Sequence, residues 1–225
     1  VFKNHTHSYL GFDEDSFVLN TSNKNAIQQF LAYLSRSWKG PIHLNIGLNE
    51  PLYGLAAFKQ FSFEPQTNKV EPTILPDFSV LSGKKIMVLV GQMEPNHPFE
   101  RLLSEFASWS NVVVLVENTS NLQNELFNHC IDRSLNSIDP NDSAFQPEVL
   151  LSFGGAIVSK RIKAYLRQIS LYIHWRIGFD FPEMNTFGTL SAQLSQDPVE
   201  FMRALLQTSL NLQTTNFKGK WKAID

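Results

Sequence analysis

An α/β fold, a parallel sheet flanked by helices, follows from three features of this 225-residue chain. Short, wholly apolar runs recur, IMVLV at 86–90 and VVVLV at 112–116, and a strand apolar on both sides suits a parallel sheet buried on both faces. Stretches with apolar residues at helical spacing alternate with these runs. Glycine, proline or short polar residues punctuate the junctions, as in DPNDS at 139–143 and Gly154-Gly155. Strands and helices in alternation place the helices over the sheet.

Taken in order, residues 1–20 read as irregular, with His5, His7, Tyr9 and an acidic GFDED stretch. A helix is predicted within 20–38, where Ile27, Phe30, Leu31 and Leu34 form one stripe and Asn20 to Asn23 offer caps. Gly40-Pro41 stops it, and IHLNI at 42–46 reads as a strand. Residues 51–82 hold four of the 11 prolines and read as a connector at a domain boundary. Strand 86–90 then leads to a helix over 98–109, with Phe99, Leu102, Leu103 and Phe106 on one face. A second strand at 111–116 precedes helical or irregular chain over 122–138. The third strand is predicted at 148–153, a helix at 159–168 and a fourth strand at 170–175. A short strand near Leu190 and a helix opened by Asp197-Pro198 complete the series.

Bulk composition narrows the function classes. The chain is 43% hydrophobic with 18 Phe, enough for a sizeable core. Only 18% of residues are charged, below the ~25% of an average domain, which points to surface covered by other domains. A net charge of −2 and no Lys/Arg stripe argue against nucleic-acid binding; KGKWK at 218–222 is short. No run approaches the ~20 apolar residues of a membrane span, and no signal-peptide pattern precedes an apolar segment. Cys130 is the only cysteine, so no internal disulfide or Cys-based zinc site forms. A cytoplasmic location is the expectation. The Val1 start and the KAID end read as the limits of a piece cut from something longer.

Two blocks carry a family resemblance. GPIHLNIGLNEPLY at 40–53 joins an apolar strand to Asn-Glu-Pro, and Pro51 forces the chain out of the sheet. PEVLLSFGGAIVSKRIKAYLR at 147–167 runs strand, Phe-Gly, hydrophobic pair, Ser-Lys-Arg and helix. Both resemble the thiamine-diphosphate-dependent enzymes, and NEPLY with FGG-x₃-SKR resembles their menaquinone-biosynthesis branch, the 2-succinyl-5-enolpyruvyl-6-hydroxy-3-cyclohexene-1-carboxylate synthases. The resemblance implies a Rossmann-like, DHS-like middle domain. It divides the chain into 1–50, the end of a first, pyrimidine-binding domain; 51–82, the connector; 83–212, the middle domain; and 213–225, a linker to a third domain. It also implies, for the parent, thiamine diphosphate and Mg²⁺, decarboxylation of 2-oxoglutarate and addition of the product to isochorismate. The family's Gly-Asp-Gly motif does not occur in this sequence, so no catalytic, cofactor-binding or metal residue is assigned within it. The expected partners are the first and third domains and further copies of the parent.

Among local candidates, Gly154, Gly155, Ser159, Lys160 and Arg161 form the best anion site, because a glycine turn at a strand end feeds a helix whose free N–H groups favour anions. The plain alternative is a tight turn, Ser159 as an N-cap and basic residues at a domain interface. The Gly91–Pro95 turn occupies a similar position after the first strand of its domain, with Gln92 and Glu94 polar. The spacing at 154–155 does not make a dinucleotide fingerprint. His5 and His7 are close enough to share a metal, with Asp13, Glu14 and Asp15 nearby as oxygen donors, but no further His is in reach and a solvated or domain-packed terminus is the better reading. His43 reads as a packed strand histidine, His174 as a strand-end residue and Cys130 as a buried thiol. A free-standing α/β carboxylate-binding module is the competing reading, and a thiamine-diphosphate enzyme of another branch a third.

Overall fold

The computed structural model describes residues 6, 8–13, 21–32, 41–48, 75–179, 185–210 and 215–225. It divides into two compact units, Val1–Pro72 and Thr73–Asp225. His5, His7, the NEPLY tail at 49–53 and the connector through 74 lie outside the described residues.

In the first unit, strand β1 (Ser8–Phe12) precedes helix α1 (Thr21–Ala32) and strand β2 (Ile42–Ile46). The strands are parallel, with Leu10 beside Leu44 and Phe12 beside Ile46. The Gly47 N–H donates to the Phe12 carbonyl at 2.7 Å and continues the pairing. Strand β2 falls where the Gly-Pro stop and apolar alternation put it. Strand β1 corrects the irregular reading of 1–20. Its signal is a single alternation, Leu10 and Phe12 against Tyr9 and Gly11, too short to stand out among polar neighbours. Phe12 and Phe30 are buried, and the His43 ring lies 5.4 Å from that of Tyr9, as a packed histidine would.

The second unit is a five-stranded sheet between two helical layers. Strands β3 (Ile86–Val90), β4 (Val112–Val116), β5 (Val149–Phe153), β6 (Ile173–Ile177) and β7 (Ala192–Leu194) lie in the order β4-β3-β5-β6-β7, and every pair is parallel. The helices are α2 (His97–Ala107), α3 (Ile131–Asn136), α4 (Lys160–Gln168), α5 (Pro198–Gln207) and α6 (Phe217–Lys222). Strand residues divide by parity. Ile86, Val88, Val90, Val114, Leu151 and Phe153 pack with α2 and α5 through Phe99, Leu103, Phe106 and Phe201. Met87, Leu89, Leu115 and Leu150 pack with α3, α4 and α6 through Ile131, Ile162, Leu166 and Trp221. That division is the two-residue period of a strand expressed on both faces.

Caps begin the helices where the sequence places polar residues. Asn96 accepts from Phe99 N at 3.0 Å, and Asp197 accepts from Val199 N at 2.8 Å and Glu200 N at 3.2 Å. Three boundaries differ from the sequence reading. Strand β6 is shifted towards its C-terminus, because His174 and Arg176 continue the alternation instead of ending it. A 3-10 turn at Phe78–Leu81, inside the expected connector, buries Phe78 and Leu81 in the core and is capped by Asp77. Within 213–225, expected as a linker, α6 is docked on the sheet with Phe217 and Trp221 buried. Three lysines and Gly219 in six residues conceal that helix from a pattern reading. Cys130, expected to be buried, is exposed in the loop before α3.

Candidate functional site

Open parallel sheets hold ligands outside the carboxyl ends of their strands, where neighbouring connections diverge to opposite sides. Here that point lies between β3 and β5. The Gly91 N–H donates to the Phe153 carbonyl at 2.9 Å, Gln92 N to Ala156 O at 3.2 Å, and Gly155 N to Gln92 O at 2.6 Å. The two strand ends therefore bond to each other. A Cβ at Gly91 would lie 2.5 Å from the Gly155 carbonyl oxygen, so only glycine allows this approach. Gly154 has a φ of +72° and turns the chain away from β5. Met93 N donates to Thr119 O at 3.1 Å, and Asn121 Nδ2 donates to Met93 O at 2.7 Å, tying in the end of β4.

The predicted anion site is built as a turn, a cap and a helix start. Ser159 Oγ accepts from Ile162 N at 3.1 Å, a regular N-cap. The amides before α4 already hold a carboxylate. Glu117 accepts from Val158 N at 3.0 and 2.8 Å through its two oxygens, and from Ser159 N at 2.7 Å. Ser159 Oγ also donates to Asp132 at the start of α3. Lys160 and Arg161 are exposed on α4. Glu117 and Asp132 escaped the sequence reading, since neither stands near 154–161 in the chain.

A cavity of about 200 Å³ opens beside Gly155, lined by Ser152, Phe153, Lys163, Arg176 and Phe187 among others. Its cationic groups are Lys163 and Arg176; Lys160 and Arg161 do not line it. Lys163 Nζ donates to the Ile157 carbonyl at 3.1 Å. On its floor, Ser152 Oγ lies 2.9 Å from His174 Nε2, and Thr189 Oγ1 lies 3.3 Å from His174 Nδ1. His174 is 1% exposed. Burial, reinforced by the Arg176 charge, pushes its pKa down to about 4. A neutral imidazole has one donor and one acceptor nitrogen, and a hydroxyl can satisfy either. The cluster reads as a satisfied polar core. Among the described residues, no three His, Cys, Asp or Glu come together as a metal-binding group. No helix there is long and apolar enough to cross a membrane.

Comparison with known proteins adds sequence relatives. No family model matches the sequence. The 2-succinyl-5-enolpyruvyl-6-hydroxy-3-cyclohexene-1-carboxylate synthase of Flavobacterium johnsoniae is 34% identical over 218 residues, 92% of this chain and 38% of that protein. The chain is a sequence relative of these synthases. The synthase of Flavobacterium psychrophilum is 30% identical over 95% of the chain and 39% of its own length, and that of Desulfotalea psychrophila 31% over 84% and 37%. The chain thus spans less than two fifths of the synthases it matches. A solved Mycobacterium smegmatis protein, described as a thiamin diphosphate-dependent enzyme, covers 86% of the chain at a TM-score of 0.47 and 15% identity. The resemblance drawn from the GPIHLNIGLNEPLY and FGG-x₃-SKR blocks is borne out by the synthases. The α/β class stands on the parallel strand order itself.

Proposed function

We propose that this chain is the middle portion of a thiamine-diphosphate- and Mg²⁺-dependent synthase of menaquinone biosynthesis, which decarboxylates 2-oxoglutarate and adds the product to isochorismate. The observation that carries this reading is the 34% identity that runs along 92% of the chain yet covers only 38% of the relative. The second unit has an architectural role. Its strand ends bond to one another, and Glu117 occupies the start of α4, so the rim is built to hold loops in place.

This chain's residues do not fit a diphosphate and its cation. Gly-Asp-Gly is absent from the sequence, and the carboxylates at the rim, Glu117 and Asp132, bind protein groups. The cofactor belongs to domains on either side. The first unit supplies the end of the pyrimidine-binding domain, and further copies of the parent complete a cytoplasmic oligomer. Helix α6 moves the proposed link to the third domain beyond Lys222. The competing module reading needs an open anion site at 154–161, where the helix amides hold Glu117.

The test is to express the whole reading frame and assay 2-oxoglutarate- and isochorismate-dependent product formation with thiamine diphosphate and Mg²⁺. The whole polypeptide is expected to be active and the 225-residue chain inactive. An inactive whole polypeptide, or turnover by the chain alone, would reject the proposal.

A further inference from the structure

We propose that α6 is a releasable strap, a short helix that melts off the second unit as one piece and so lengthens the tether to the domain that follows. Six residues with one glycine and three lysines do not hold a helix alone, so α6 is helical only while docked. Its hold is concentrated at Phe217, Lys218 and Trp221. Phe217 and Trp221 are buried, and the Trp221 ring lies 6.1 Å from that of Phe145 and 6.4 Å from that of Tyr165. Lys218 donates through its backbone N–H to Ser110 O at 3.1 Å and through Nζ to Ala107 O at 2.6 Å. The socket is built to survive release. The Phe145 carbonyl accepts from both Trp221 Nε1 at 3.1 Å and Tyr165 Oη at 3.0 Å, so it keeps a partner when Trp221 leaves. A buried carbonyl left unpaired would oppose the opening. Burial raises the Tyr165 pKa, so its hydroxyl remains a donor. Ile131 of α3 and Ile162 and Leu166 of α4 pack in the same apolar cluster, and this face of the sheet stays covered without α6. Such a piece can open while the rest of the unit stays folded. Docked, its six residues span ~9 Å, and extended they span ~20 Å, so release adds ~11 Å of reach. The tether role rests on the synthase reading, in which a third domain follows; the release itself does not.

Native-state hydrogen exchange on the unsubstituted 225-residue chain tests the release. The amides of Lys218, Lys220 and Ala223 are all hydrogen-bonded in the docked form. They should exchange roughly a hundredfold or more faster than those of 86–90 and 149–153, all three with one common opening that low denaturant barely changes. Exchange at the core rate, with the core's denaturant dependence, would overturn the proposal, because α6 would then open only when the whole unit unfolds. A gradient of protection falling from Lys218 to Ala223 would overturn it as well, since that is fraying and not release. The tether is read in the whole polypeptide, by the distance distribution between a spin label on the exposed Cys130 and one in the following domain. Trp221→Phe, which keeps a ring in the socket and removes the indole N–H, should speed α6 exchange about threefold or more and extend that distribution to longer distances. An unchanged distribution in a variant with faster α6 exchange would refute the tether. Inactivity of the unsubstituted whole polypeptide would reject the synthase reading and leave the exchange result standing.

Discussion

At the scale of single residues, the rim of the second unit depends on a few atoms that have no alternative. Gly91 is one. Replacing it with alanine would press a methyl group against two backbone carbonyl oxygens, at 2.5 and 2.9 Å. An overpacking cost of about 1–3 kcal/mol is expected in denaturant unfolding. Ser159→Ala removes the cap of α4 and should cost ~1 kcal/mol in the same measurement. His174 makes stability depend on pH. Its folded pKa of about 4 lies below the ordinary 6.5, so between these values the unfolded chain binds the extra proton. Stability should therefore be intact above about pH 6.5 and fall as pH drops towards 4, by up to roughly 3 kcal/mol. His174→Gln should flatten that slope, and an unchanged pH profile would dissociate the effect from His174. The Gly-Gly turn and the Ser159 cap were legible in the sequence because each acts on its neighbours. Glu117 was not, because its role depends on where β4 ends relative to α4.

At the scale of elements, α6 shows how a short helix becomes part of a core. Trp221 is fully buried, and its indole N–H donates to the Phe145 carbonyl at 3.1 Å, which also accepts from Tyr165 Oη at 3.0 Å. Lys218 Nζ reaches the Ala107 carbonyl at the end of α2 at 2.6 Å. Trp221→Ala should destabilise the second unit by ~3–5 kcal/mol, read from chemical denaturation. A chain ending before Phe217 should lose as much or more. Loss of α6 with no change in stability would mean that it contributes nothing to the core. Strands β3, β4 and β5 were visible as apolar runs, since each carries its signal within a few residues, whereas β6 was read as starting three residues early and β7 only as a short strand near Leu190. Strand β1 and helix α6 were hidden for the opposite reason. Their burial comes from partners elsewhere in their own units, with little periodicity of their own.

At the scale of the molecule, the described residues of the two units differ in apolar cover. The second has apolar layers on both faces of its sheet. Among the described residues, the first presents a two-stranded parallel sheet with Tyr9, Leu44, Ile46 and Leu48 exposed. Parallel strands are ordinarily covered on both faces, and a two-stranded sheet is marginal alone. The proposed first domain would supply the missing cover. Hydrogen exchange should accordingly find 42–46 weakly protected in this chain and strongly protected in the whole polypeptide, while 86–90 and 149–153 are protected in both. Equal protection of 42–46 in the two proteins would count against an incomplete first domain.

The sequence by itself determined the α/β class, most strand and helix positions, the glycine turn after β5 and the relationship to the synthases. Each of these is written in residue spacing or in short blocks such as FGG-x₃-SKR. Tertiary structure alone decided which polar groups meet. Ser152 finds His174 across 22 residues, Val158 finds Glu117 across 41, and Trp221 finds Phe145 across 76. The physical reason is that periodicity records which face a residue turns to the core. What lies opposite that face depends on strand order and register, and these emerge only when the whole sheet assembles.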